Sequence, residues 1–497
     1  MNRTKRLVRA ALSLAVGATL VVAPMSGGQA WAATLQWTGL GATPLWSDAG
    51  NWNLLRAPID GDEPFFAGLA PFAGSVLDVS RSFSALSFTP HAGAFTLRVQ
   101  GNGPAVLAFS GVGIRNLTAG MGPTRQTFFA DGGSVGGTIL FTGNSGINIG
   151  SDPALRPVDL TAVGGSTAGS VGGHLVFQDR ASTGGNTSDA LRAQGALVSG
   201  ASGGEIVFRD SAIATKSSTI VVGGGAAPGT LGGSASFADL ATAAGNIVVL
   251  AGTSDGLGGR LRFSGTATAT SGISNDGAGS AANGAEAVTS FQGDTRLTGS
   301  AANYQGNAFG AGGGRLEMLE RSSIDSSGLA PGAGTLIVSN SGASVIGASG
   351  GTTIFRGDPV TLTLRSSLTW DGGGLIRLVL GADNAGSDHL VVSSLVRGAA
   401  GPFVFDLVDF GIVAGASYDL LHFDSLGGFS AGDFTFAGAS AAGKFSISDG
   451  SIDFTAAAVP EPGSAALMGL GLLCLVWSAR RGNRDAKGVR AGKAPAC

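Results

Sequence analysis

A short glycine-led pattern returns along the middle of the chain and limits the folds open to it. It reads GGTILFTGNS from Gly136, GGHLVFQDRAST from Gly172 and GGEIVFRDSAIA from Gly203. It continues as GGSASFADLATA from Gly232 and GGRLRFSGTATA from Gly258. The anchor phenylalanines are Phe141, Phe177, Phe208, Phe237, Phe263 and Phe291, spaced by 36, 31, 29, 26 and 28 residues. Weaker copies centre on Phe291, Met318 and Phe355. The residues before each Phe alternate as a strand with one buried face does. Gly-Gly suits a corner that needs positive φ, and the Asp or Gly two residues after Phe suits a turn. Small Ala and Thr follow, where coils would pack closely. One such unit cannot bury its apolar face alone, but stacked copies share a continuous core. The pattern predicts an all-β parallel β-solenoid, specifically a right-handed β-helix. A β-propeller is the other reading, but it would want more regular periods and four strands per blade.

Composition agrees once the competing classes are removed. Glycine reaches 86 of 497 residues, without the strict three-residue period of collagen. Hydrophobic residues make up 43 %, too many for a disordered chain. Both cysteines, Cys474 and Cys497, lie near the C-terminus, so the body has no disulfide framework.

Charge is uneven along the chain. Residues 1–32 carry +4 and residues 480–497 carry +5, so the total of −3 leaves −12 on 33–479. An acidic body repels phosphates, and no nucleic acid partner is expected.

The two ends read as addresses. Arg3, Lys5, Arg6 and Arg9 precede an uncharged stretch from Ala10 to Ala23. Ala30-Trp31-Ala32 then supplies small residues at the two positions a signal peptidase reads. Residues 1–32 are expected to be a signal peptide, cleaved after Ala32. At the other end stands Val459-Pro460-Glu461-Pro462-Gly463. An uncharged apolar run of 16 residues follows, Ser464 to Ala479, and then Arg480-Arg481. The run is short for a stable span, which needs about 20 apolar residues. The Arg pair should stay cytoplasmic. Prolines 460 and 462 favour an extended backbone.

This order of motif, apolar helix and basic end resembles the PEP-CTERM sorting signal of exported bacterial proteins, placed here at 459–497. The resemblance implies an exosortase that cuts near Pro460, Glu461 and Pro462. It also implies transient insertion in the inner membrane, then a place in the cell envelope, on the outer surface or in the extracellular matrix. A plain C-terminal membrane anchor is the simpler alternative.

The body divides by pattern into 33–130, 131–356 and 357–458. The first part holds Trp37-Thr38-Gly39, Trp46-Ser47, Asn51-Trp52 and Pro58-Ile59-Asp60-Gly61-Asp62. This order resembles a module at the start of autotransporter-like proteins, where it begins a β-helix. Trp37, Trp46 and Trp52 either lid the open end of the stack or form an aromatic sugar platform. The second part is the glycine-rich repeat. The third runs from Trp370-Asp371-Gly372 through Asp388-His389-Leu390 to Tyr418-Asp419-Leu420. It resembles the capping end of autotransporter passengers. Only 43 residues follow Phe454, against about 10 per strand for even an eight-stranded barrel. No built-in translocator is expected.

Catalytic signals are scarce. His91, His174, His389 and His422 form no zinc-type pair. No nucleophile elbow or phosphate-loop lysine is found. No catalytic, cofactor or metal residue is assigned. Asp179, Asp210 and Asp239 share one repeat position and would form a ladder along one edge. They are either a row of calcium or sugar contacts or turn aspartates satisfying backbone N–H groups. A lyase or glycosidase would need carboxylates and a cation on one face. Arg180 and Arg209 adjoin Asp179 and Asp210, but neighbouring strand residues face opposite sides. The expected function is a non-catalytic exported protein, structural or adhesive, in contact with extracellular polysaccharide. A polysaccharide-active β-helix enzyme and a simply anchored surface protein are the alternatives.

Overall fold

The computed structural model describes residues 32–457, apart from 69–73, 104, 119–124, 149–155, 185–188, 277–285, 299–300, 304–314, 320–322, 325–335, 339–351, 357–360, 371–374, 399 and 438–441. Within them the chain is a parallel β-solenoid. The described strands form sheets of 16, 15 and 5 strands. Strands of successive coils pair in parallel, which excludes a propeller, whose blades pair consecutive strands. The only described helical pieces are the 3-10 turns Ala49–Asn51 and Ala431–Asp433. No described helix is long and apolar enough to cross a membrane.

Each middle coil contributes three strands. The repeat strands Thr138–Phe141, His174–Phe177, Glu205–Phe208, Ser234–Phe237, Arg260–Phe263 and Val288–Phe291 stack with every anchor Phe opposite the next. A two-residue strand follows, such as Ile213–Ala214 or Thr242–Ala243, and those strands make the smallest sheet. The next sheet includes Val158–Ala162, Ala190–Ala193, Thr219–Val222 and Asn246–Val249.

Burial follows the period-two pattern. Leu175, Ile206, Leu261 and all six anchor phenylalanines are fully or almost fully buried. From Phe141 to Phe291 neighbouring rings lie 4.5–5.0 Å apart, tilted by 10° or less. Phe109 extends the stack by one coil. In-register pairing sets this spacing, because parallel strands lie about 4.8 Å apart. Ala212, Ala214, Ala241, Ala243, Ala267 and Ala269 are buried beneath the short third sheet, and Leu297 takes the place of Ala269 one coil on.

The Gly-Gly pairs serve a different purpose from the one expected. Of the pairs, only Gly136 has positive φ. The others are squeezed between coils. A Cβ on the first glycine would meet the following coil: Gly172 would lie 2.1 Å from Gly203 O, and Gly203 would lie 2.3 Å from Gly232 O. A Cβ on the second would meet the preceding coil, 1.8 Å from Ala130 O at Gly173 and 2.1 Å from Ala162 O at Gly204. Close backbone approach, not an unusual dihedral, demands glycine here.

Both ends of the stack are closed. At the first coil, Thr34–Trp37 pairs with Glu63–Phe66. Trp37, Trp46 and Trp52 are fully buried and meet in edge-on contacts about Trp52 at 5.1 Å. Such rings present no face to a sugar. Asn51 ties the loop above them: its Nδ2 donates to Thr43 O and Leu45 O, and its Oδ1 accepts from Gly41 N–H. Asp62 is buried and ion-paired with Arg56 at 2.6 Å. Burial opposes its charge, but the Arg56 hydrogen bonds and the Ile59 and Ala33 N–H groups outweigh it and hold the carboxyl below its ordinary range. At the last coil, Gly443–Ser448 and Ser451–Ala456 form an antiparallel hairpin on Ser417–Gly427. Trp370, Phe405, Phe434, Phe445 and Phe454 pack beneath it. The reversal of strand direction stops further parallel coils from adding in register.

Candidate functional site

The position two residues after each anchor Phe forms a column along one edge. Its residues are Gly143, Asp179, Asp210, Asp239, Gly265 and Gly293, and all have positive φ, from 59° to 82°. Only glycine, or Asn and Asp with short polar side chains, visits this region readily.

The three aspartates are exposed, and each carboxylate reaches back one coil. Asp179 accepts from Gly143 N–H at 2.9 Å, Asp210 from Asp179 N–H at 3.1 Å, and Asp239 from Asp210 N–H at 3.3 Å. The three aspartates therefore form a column, with one oxygen of each rung bonded to backbone.

The neighbouring arginines do not join it. Asp179, Arg180 and Asp210 are turn residues, so the strand-face argument does not apply to them. The Arg209 guanidinium instead donates to Gln178 Oε1 of the coil before. Among the described residues no group of three or more His, Cys, Asp or Glu is placed to hold a metal ion.

Ladder variants should separate backbone work from ligand work. Asp210→Ala should cost about 1–2 kcal/mol, through a lost hydrogen bond and an alanine held at positive φ. Asp210→Asn should stay within about 0.5 kcal/mol of the parent. Thermal unfolding with and without calcium checks both. A calcium-dependent gain in midpoint that Asp210→Asn removes would restore the ligand reading.

His174 is the histidine with a charged partner in the repeat: its Nδ1 lies 3.0 Å from Glu205 Oε2 on the next coil. His389 holds loop carbonyls, with Nδ1 2.8 Å from Asp419 O and Nε2 2.6 Å from Asn384 O. Asp419 faces Asp453 across the antiparallel ladder. Burial, and then the Asp453 charge, push its carboxyl above the ordinary range. An open groove of about 530 Å³ lies beside this hairpin, with Asp424 and Asp449 on its walls. Ser448, also on its wall, donates its hydroxyl to Asp453 Oδ2 at 3.0 Å.

The capping hairpin fixes where the sorting segment begins. Ala456 exchanges hydrogen bonds with Ala416 O and Gly415 N–H, and Ala457 N–H donates to Ala442 O at 2.6 Å. Glu461 comes four residues later in the sequence. Pro460, Glu461, Pro462, Arg480, Arg481 and Ala30 lie outside the described residues, while Ala32 is described and exposed.

Residues 458–481 match the PEP-CTERM protein-sorting motif. The match begins two residues after the last strand of the cap ends. A search of curated proteins found no match to the chain. The motif implies an exported protein, processed by an exosortase and sorted to the cell envelope or beyond.

Proposed function

We propose that the protein is a non-catalytic structural or adhesive rod, delivered by its two end signals and held among extracellular polysaccharide. The carrying observation is the join: a closed solenoid passes directly into the matched sorting segment. A signal peptidase removes residues 1–32. The apolar run 464–479 inserts briefly as a short helix in the inner membrane, with Arg480 and Arg481 inside. Exosortase cutting near Glu461 then frees the body. The crossovers are read as right-handed, the hand that parallel β-crossovers adopt in nearly all cases.

Several features support a passive role. The phenylalanine stack and the glycine columns are devices of rigidity. The ladder carboxylates are bonded to backbone, and the neighbouring Arg209 is turned to Gln178. A polysaccharide-active enzyme is the second reading, and the acidic edge is what it would use.

The test is co-sedimentation of the mature protein with a panel of polysaccharides, with product analysis of the same samples. Retention without new chain ends is expected. Cleavage that Asp179→Asn, Asp210→Asn and Asp239→Asn together abolish would establish the enzyme.

A further inference from the structure

We propose that the amino group released by cleavage after Ala32 is itself part of the N-terminal cap, its ammonium pairing with the buried carboxylate of Asp62. The inference rests on the export reading above, which places the cut between Ala32 and Ala33.

The geometry is already present in the uncut chain. Ala33 N donates to Asp62 Oδ1 at 2.9 Å, and Ala33 O accepts from Glu63 N–H at 2.9 Å. The edge strand Thr34–Trp37 starts one residue later. Ala32 is exposed, so the chain leaves the body at the bond the peptidase is expected to cut.

Asp62 is fully buried, and its oxygens are saturated. Oδ1 takes Ala33 N and Arg56 Nη2, and Oδ2 takes Arg56 Nη1 and Ile59 N–H. That fills the roughly four acceptor positions a carboxylate offers. Other charged groups nearby are engaged elsewhere. Glu63 accepts from the Ser84 hydroxyl, Asp60 from Ser82 N–H, and Arg81 donates to Pro58 O and Ser80 O.

Before cleavage the Ala33 donor is a neutral amide. Afterwards it is an ammonium on the same oxygen, which adds a charge–charge attraction to a bond that the ionised Asp62 already makes charge-assisted. Removal of the signal peptide thus tightens the end of the rod.

The sign of the pH dependence follows. Pairing raises the α-amine above its usual range of about 7.7–8.0. Its stabilisation is complete below that range and is lost as pH rises through the raised value.

The experiment compares exported mature protein with the same protein acetylated at its α-amine, which keeps an N–H donor and loses the charge. N-terminal sequencing comes first. The amine is then titrated by NMR as its isotope-labelled dimethyl derivative. The account expects Ala33 as first residue and an amine titrating above the usual range. It also expects a thermal midpoint lowered by acetylation at pH 7 but not at pH 10.5. Asp62→Asn should return the amine to its usual range and abolish the acetylation effect. If that variant does not fold, the acetylated pair decides alone. An amine titrating normally at Ala33 overturns the ion pair and leaves the export reading intact. A first residue other than Ala33 overturns both the pair and the assigned cut.

Discussion

Replacing Phe208 by alanine is expected to cost about 3–5 kcal/mol, the range for deleting a buried aromatic side chain. The ring is fully buried and sits between Phe177 at 4.6 Å and Phe237 at 4.7 Å, nearly parallel to both. Its loss removes two stacking contacts and opens a hole that rigid neighbouring coils cannot fill. Solenoid stability is close to a sum of coils and interfaces, so the damage should be local. Hydrogen exchange should speed up in the coils of Phe177, Phe208 and Phe237 and little elsewhere. Uniform loss of protection along the rod would contradict a stack of this kind. Phe208→Leu should cost less, because it keeps most of the volume.

Gly204→Val is expected to cost about 3 kcal/mol or more, at or beyond the upper end for overpacking. The first added carbon would already lie 2.1 Å from Ala162 O and 2.5 Å from Ala162 C. Both are backbone atoms of the preceding coil, so no side chain can swing away. The nearby strand pairing would have to open. Valine is the sharper test than alanine, since the coil of Phe291 carries Ala287 at the equivalent position. Clearance has already widened to 2.6 Å one coil earlier, at Gly259. Gly169→Val is the control. Its Cβ would meet nothing within 4 Å, so its cost should come only from its φ of 78°. Denaturant unfolding of the three proteins ranks them; equal losses at Gly204 and Gly169 would remove the packing account.

The solenoid was legible because one large residue marks the phase. Phenylalanine at a fixed place in each unit reports register even where spacing varies from 26 to 36 residues. The aspartate column was legible for the same reason. Other features left weaker traces. The two-residue strands of the smallest sheet are too short to show any period. The strands at Val158–Ala162 and Ala190–Ala193 follow corners of differing composition, which blurs their alignment.

The role of the Gly-Gly pairs was not legible, since glycine in a sequence does not say whether it answers to a dihedral or to a neighbour's carbonyl. The antiparallel cap was hidden because alternation is the same for either strand direction. Asp62 stands in the sequence only as the end of a motif. Its saturated, buried carboxylate depends on partners 3, 6 and 29 residues away, which no local pattern reveals.

The most direct test of the account as a whole is the intact mass of the protein recovered from cell envelope and medium, read at both ends. The account predicts a chain that starts at Ala33 and has lost everything beyond the Pro460-Glu461-Pro462 region. A chain that still carries Cys497 would contradict sorting by an exosortase and leave a simply anchored surface protein.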